Sequence, residues 1–170
     1  MFYERILREL SRRKIQYLIV GGVAVNLHGY PRLTGDLDIV LCFEKSNIEN
    51  FGTLLKKLGW LPRVPVSVLD LADAKKREGW LKEKGMKVFS MHNPDIPMEA
   101  LDVLTDPGFD FGVLKKHSTL MSYKDFKVRV ASLDDLIAMK KKAGRKKDLM
   151  DVQALDELRR IKKHAAKNKK

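Results

Sequence analysis

Apolar positions recur along this chain at two spacings, and together they predict a mixture of helices and strands. Residues 2–13 put Phe2, Ile6, Leu7 and Leu10 on one helical face. Gln16–Val20 is a short apolar run that reads as a strand closing on Gly21-Gly22. Gly22–Leu27 continues as a short helix, which Gly29-Tyr30-Pro31 breaks. Asp36–Phe43 reads as a second strand. Ser46, with Glu49 three residues on, has the form of a capping box and predicts a helix through Leu58. Pro62-Arg63-Val64-Pro65 is a loop, and Leu69–Lys84 reads as a charged helix interrupted by Gly79.

The second half has the same mixture. Met86–Ser90 and Pro97–Leu104 read as strands across the turn-rich His92-Asn93-Pro94-Asp95. Thr119–Ser122 and Phe126–Val130 form a hairpin around Lys124-Asp125. Leu133–Lys142 and Lys147–Lys162 are two closing helices joined at Ala143-Gly144-Arg145. The stripe Leu149, Val152, Leu155, Leu158 and Ile161 reads as core packing, and Trp60 and Trp80 read as packing or partner contact, with base stacking the alternative. Two antiparallel strand pairs among helices favour an α+β fold: a mixed sheet flanked by helices, with a C-terminal helical pair. The expected organisation is a core over 1–131, packed helices over 132–163 and a basic disordered tail over 164–170.

Composition narrows the class. The chain has 170 residues with 44% apolar content, enough for one domain with a core. No apolar run approaches the roughly 20 residues that span a bilayer, and the N-terminal residues have no signal-peptide character, so a cytoplasmic protein is expected. Cys42 is the one cysteine and reads as a buried, inert thiol. The net charge of +12 is concentrated at one end: residues 140–170 hold 13 Lys and Arg against four Asp and Glu. Such a segment suits either a polyanion such as RNA or a solvated helix face.

The chemistry gathers in Thr34-Gly35-Asp36-Leu37-Asp38-Ile39-Val40-Leu41. Alternate strand residues share a face, so Asp36 and Asp38 project together with Cα atoms roughly 6.5–7 Å apart. Their apolar flanks mark a buried strand, where two acids repel and resist desolvation. Divalent cations relieve both costs. Gly21 and Gly22 allow backbone N–H groups to approach phosphate. The chain has no phosphate-binding Gly-x-x-x-x-Gly-Lys loop, no Gly-x-Gly-x-x-Gly, no His-Glu-x-x-His and no Cys/His zinc spacing. His28 reads as a helix-end residue contacting backbone.

Gly-Gly, thirteen intervening residues and Asp-x-Asp resemble the minimal nucleotidyltransferase domains of the DNA polymerase β superfamily. Within that group the chain is most similar to AbiEii-type toxins and related nucleotidyltransferase-like families. The resemblance is specific over residues 17–41. It returns at Leu136-Ile137-Ala138-Met139-Lys140 and at Gly144-Arg145-Lys146-Lys147-Asp148-x-x-Asp151, whereas residues 44–95 match poorly. It implies a two-Mg²⁺ transfer of a nucleoside monophosphate from an NTP such as ATP or GTP. Gly21 and Gly22 would form the triphosphate turn, and Asp36 and Asp38 would bind Mg²⁺. A third carboxylate is expected from a later strand: Leu101-Asp102-Val103 makes Asp102 the candidate, with Glu99 the weaker alternative because it should face the other side. Arg32 and Thr34 would touch phosphate or orient the loop.

Lys140, Arg145, Asp148 and Asp151 fit two readings: acids at the start of a helix, favoured by its dipole, or a group in which Lys140 and Arg145 reach nucleotide or acceptor phosphates. The family pattern often has Gly-Ser where this chain has Gly21-Gly22, which leaves phosphate contact to backbone or to a basic residue. The resemblance also implies a toxin–antitoxin or phage-defence setting. The acceptor would carry a hydroxyl, as RNA (tRNA included), a protein or a small molecule does, and a cognate toxin or antitoxin protein would be a partner. The other function class is a non-catalytic module of the same fold acting as antitoxin or regulatory partner.

Overall fold

The computed structural model describes residues 3–167. Phe2, expected on the first helical face, lies outside them. The elements run α1 (Glu4–Arg12), β1 (Tyr17–Ile19), α2 (Gly21–Leu27), β2 (Asp36–Leu41), α3 (Lys45–Leu58), β3 (Leu61–Pro62), a 3-10 turn (Val68–Ala72) and α4 (Ala74–Lys84). They continue as β4 (Val88–Asn93), β5 (Ile96–Leu104), α5 (Phe111–His117), β6 (Thr119–Tyr123), β7 (Phe126–Val130), α6 (Leu133–Ala143) and α7 (Lys146–Lys167). The strands make one mixed sheet ordered β3-β4-β5-β2-β1-β7-β6, with helices packed against it, as the pattern predicted. Among the described residues no helix is long and apolar enough to cross a membrane.

The centre of the sheet positions the site. β2 runs parallel to β5 and antiparallel to β1. Leu37, Ile39 and Leu41 are fully buried on one face of β2, together with Leu101 and Val103 of β5. Fully burying each such side chain stabilises the fold by about 1.5–3 kcal/mol, so this strand pair is fixed in register by what it buries. Ile6, Leu7 and Leu10 of α1 join the same core, as do Trp60 and Trp80.

Several local expectations change. The Ser46–Glu49 capping box does not form: α3 starts at Lys45, and its N-cap, Glu44, makes no side-chain cap bond. Buried Asn47 instead ties the helix start to the sheet, accepting from the Gln16 N–H at 2.8 Å and donating to the Cys42 carbonyl at 2.8 Å. The charged run 69–84 is two elements, because the Asp73 carboxylate caps a new helix by accepting from the Lys75 and Lys76 N–H groups. Gly79 sits inside α4 without ending it. The seven-residue α5 is not announced by the sequence pattern, because it buries only Leu114 and is too short to show a period. Of the α7 stripe, Val152 and Leu155 are buried but Leu149 and Ile161 are more than half exposed, so the helix packs along a narrower seam than expected. α7 stays helical to Lys167, into the segment expected to be tail; residues 168–170 lie outside the described residues.

Gly144, at φ +65°, caps α6 in a left-handed conformation that turns the chain so that α7 folds back along α6. α6 in turn packs on α2, the short helix behind the glycine turn. By this route the C-terminal charges reach the N-terminal strands.

Candidate active site

β2 and β5 bring the acids together. Asp38 is paired with Asp102 and Asp36 with Ala100. In a parallel ladder paired residues share a face, so Asp36, Asp38 and Asp102 project to the same side. Ser90 of β4 is the partner of Asp102 and extends that row. Glu99 is displaced by an odd number of residues, faces the other side and is buried near Tyr3.

The electrostatics follow from that crowding. Burial pushes the Asp38 carboxyl up to about 6, and Asp102 and Asp36 push the same way; Lys140 and the Gly22 N–H oppose them. Burial also raises Asp102, helped by Asp36 and resisted by the Ser90 hydroxyl and Arg63. Burial is the larger cause in both, and neighbouring carboxylates add to it. Among the described residues no three His, Cys, Asp or Glu side chains are grouped to enclose a metal unaided.

The glycine turn lies directly on the acids. Gly21 has φ +63°, and a Cβ built there would overlap the Asp38 carboxylate. A Cβ on Gly22 would stand 2.8 Å from both Arg32 Nη2 and Thr34 Cβ. The Val20 N–H donates to the Asp38 carbonyl at 2.9 Å, which locks the start of the turn to β2. Asn26 holds the following loop: its Oδ1 accepts from the Arg32 N–H and its Nδ2 donates to the Arg32 carbonyl, both at 2.9 Å. Thr34 Oγ1 donates to the Asp36 carbonyl at 3.4 Å.

Behind the turn sits a charge network. Lys140, only 6% exposed, lies 3.1 Å from Asp148 and 2.8 Å from Asp151. Arg32 Nε is 3.1 Å from Asp151, and Arg145 pairs with Asp148. Burial raises the Asp148 carboxyl, but hydrogen bonds from Arg145 and Lys140 outweigh it and hold it below the usual range. Asp148 and Asp151 are thus both ion-paired. His28, at the end of α2, is bonded through Nε2 to the Ala131 carbonyl oxygen at 2.8 Å, and burial lowers its pKa, so it is a neutral strut.

Gly21, Gly22, Arg32, Thr34, Asp36, Asp38, Lys140, Arg145 and Asp148 all line one cleft of about 430 Å³. Asp102 is beside Asp38 in the sheet but does not line it. Sequence reasoning missed Asn26, and it missed Lys87, Phe109 and Lys142, which also line the cleft. Their signal is tertiary, apart from Asn26, a turn-former inside a predicted helix.

The family described as nucleotidyl transferase AbiEii toxin, type IV toxin–antitoxin system, matches residues 5–168. The chain belongs to the AbiEii nucleotidyltransferase family. No curated protein matches it. Solved structures share the fold at low identity. The lincosamide antibiotic adenylyltransferase LnuA with lincomycin bound has TM-score 0.61 at 16% identity, covering 91% of this chain and 94% of that one. An antigenic nucleotidyltransferase-like protein from Paracoccidioides brasiliensis has TM-score 0.56 at 17% identity, covering 91% and 73%. ANT(2″)-Ia in complex with adenylyl-2″-tobramycin has TM-score 0.55 at 14% identity, covering 97% of each chain. This AbiEii-family chain therefore carries its Asp-x-Asp strand and glycine turn within a nucleotidyltransferase fold.

Proposed function

We propose that this AbiEii-family member moves a nucleoside monophosphate from an NTP to a hydroxyl of an RNA acceptor, using Mg²⁺, within a toxin–antitoxin pair. The observation that carries the reading is the contact of the Gly21 turn with Asp38: the phosphate-binding backbone and the crowded acids open into one cleft.

Asp36, Asp38 and Asp102 would hold the ions. Bound with the NTP, Mg²⁺ neutralises the triphosphate and stabilises the charge that develops on the attacking and leaving oxygens. The chain's own groups do the rest. The glycine turn lets the phosphates approach the backbone, the Gly22 N–H being bonded to the Asp38 carboxylate, and with no side chain at Gly22 the neighbouring cation, Arg32, takes the place of a hydroxyl. Lys140 and Arg145, aimed by Asp148 and Asp151, balance the polyphosphate charge. The acceptor oxygen bonds to the α-phosphorus, the α–β bridging P–O bond breaks, and pyrophosphate leaves. The hydroxyl proton leaves to solvent water, and Asp102, beside Asp38 but off the cleft lining, acts through the ions without meeting the acceptor.

RNA is favoured over a small-molecule acceptor by the exposed cations along α6 and α7, Lys141, Lys146, Arg160 and Lys163 among them. The test is incubation with each α-labelled NTP and Mg²⁺, with total RNA, a protein extract or aminoglycosides as acceptor, beside an Asp36→Ala/Asp38→Ala double variant. Label in RNA that requires the intact acids is the expected result. Label in the other acceptors moves the assignment to that class, and no label with any acceptor refutes transfer.

A further inference from the structure

The cleft has two chemically different ends, and the transfer chemistry uses only one. Gly21, Gly22, Arg32, Asp36 and Asp38 form the charged end. Leu104 lies two residues past Asp102 on the same face of β5, with Val88 of β4 as its partner. That is about 7 Å farther along the strand. Met139 of α6 and Phe109 line the cleft with them. An apolar wall beside a phosphate site is what a bound nucleoside requires.

Phe109 is held in place by its own turn. The Asp106 carboxylate accepts from the Gly108 N–H at 2.8 Å, and the Phe109 N–H donates to the Asp106 carbonyl at 3.1 Å. Lys142 crosses from α6 and sits over the ring, its Nζ 4.5 Å from the centroid. It is paired there with both Asp106 oxygens, at 3.0 and 3.1 Å. A side chain on Gly108 would overlap the Lys142 ammonium, so the glycine keeps this approach open. The cation covers one face of a ring that lines the cleft, and the Lys142 stem is long and half exposed.

We propose that Phe109 is the platform on which the base of the incoming NTP stacks, with Lys142 giving up the ring face and remaining, beside Asp106, as the polar pair at the base edge. The inference rests on the NTP reading above and adds the place of the base. Stacking of one base on an aromatic side chain is sequence-tolerant, so Phe109 serves any of the four bases, and Lys142 and Asp106 supply the discrimination.

The test is calorimetric titration of the full chain with Mg²⁺ and ATP, GTP, CTP, UTP or inorganic tripolyphosphate, in wild type, Phe109→Leu and Phe109→Trp. Phe109→Leu keeps an apolar side chain for the fold while removing the ring. The expected result is a loss of about tenfold or more in affinity for the NTP that binds wild type, unchanged tripolyphosphate binding, and recovery in Phe109→Trp. Unchanged NTP binding in Phe109→Leu overturns the stacking role and leaves the transfer reading standing. Equal loss of NTP and tripolyphosphate also overturns it, since the residue then supports the site only through packing. A folded wild type that binds no NTP overturns both.

Discussion

Gly21 and Asp38 share a space that admits no further atom. A Cβ at Gly21 would overlap the Asp38 carboxylate and stand 2.8 Å from Asp38 Cβ, and the backbone there is at φ +63°. The glycine is thus required by two independent constraints, a left-handed backbone and the closeness of the Asp38 carboxylate. Gly21→Ala should cost about 1–2 kcal/mol of stability from the backbone alone. Because it also displaces Asp38, transfer should fall by about 10²-fold or more. Denaturant unfolding and label-transfer rates on the same preparation check both figures.

Asp38 should stabilise the fold better when it carries no charge. Its folded pKa of about 6 lies above the ordinary 3.8, so its relative contribution is full below pH 3.8 and is lost as pH rises through about 6. Asp38→Asn should therefore be more stable than wild type above that range, by at most about 3 kcal/mol, and should converge with it in acid. Mg²⁺ should raise the melting temperature of wild type at pH 8 and leave Asp38→Asn nearly unmoved. Thermal unfolding between pH 4 and 8, with and without Mg²⁺, reads both effects; a less stable Asp38→Asn at pH 8 would contradict the crowding described here.

Lys140 is nearly buried between two buried acids. Lys140→Met leaves Asp148 and Asp151 with only Arg145 and Arg32, and breaking one side of a buried pair typically costs about 3–5 kcal/mol. Adding Asp151→Asn to Lys140→Met should recover part of that stability without restoring transfer. Equilibrium unfolding of the single and double variants tests the first claim, and label transfer the second.

The proposed RNA acceptor makes a salt prediction. Lys141, Lys146 and Lys163 are exposed and stand outside the cleft lining. Replacing all three with Gln should weaken RNA binding and reduce the slope of log affinity against log salt by about 2 if each meets a single-stranded phosphate. NTP binding should stay as it was. An unchanged slope would place the acceptor elsewhere.

Much of the fold was legible because its signals are local. The alternation in β2, the helical stripe of α1 and the turn at Lys124-Asp125 each lie within a few residues. The errors share one cause. Asn47 fixes the start of α3 through bonds to Gln16 and Cys42, and nothing near Ser46 announces them. Leu149 and Ile161 carry the helical period of α7, yet they stay more than half exposed while Val152 and Leu155 are buried.

The chain by itself determined that two acids share a strand face next to a glycine turn, because period two and the freedom of glycine are properties of a few consecutive residues. It also determined the excess of positive charge at its C-terminal end. Only the tertiary structure decided that Asp102 stands beside Asp38, that Lys140 is buried between Asp148 and Asp151, and that Phe109 and Lys142 line the same cleft. Those neighbours depend on the register of β5 against β2 and on how α6 and α7 fold back over α2, which the packing of the whole core fixes and no short stretch of sequence encodes.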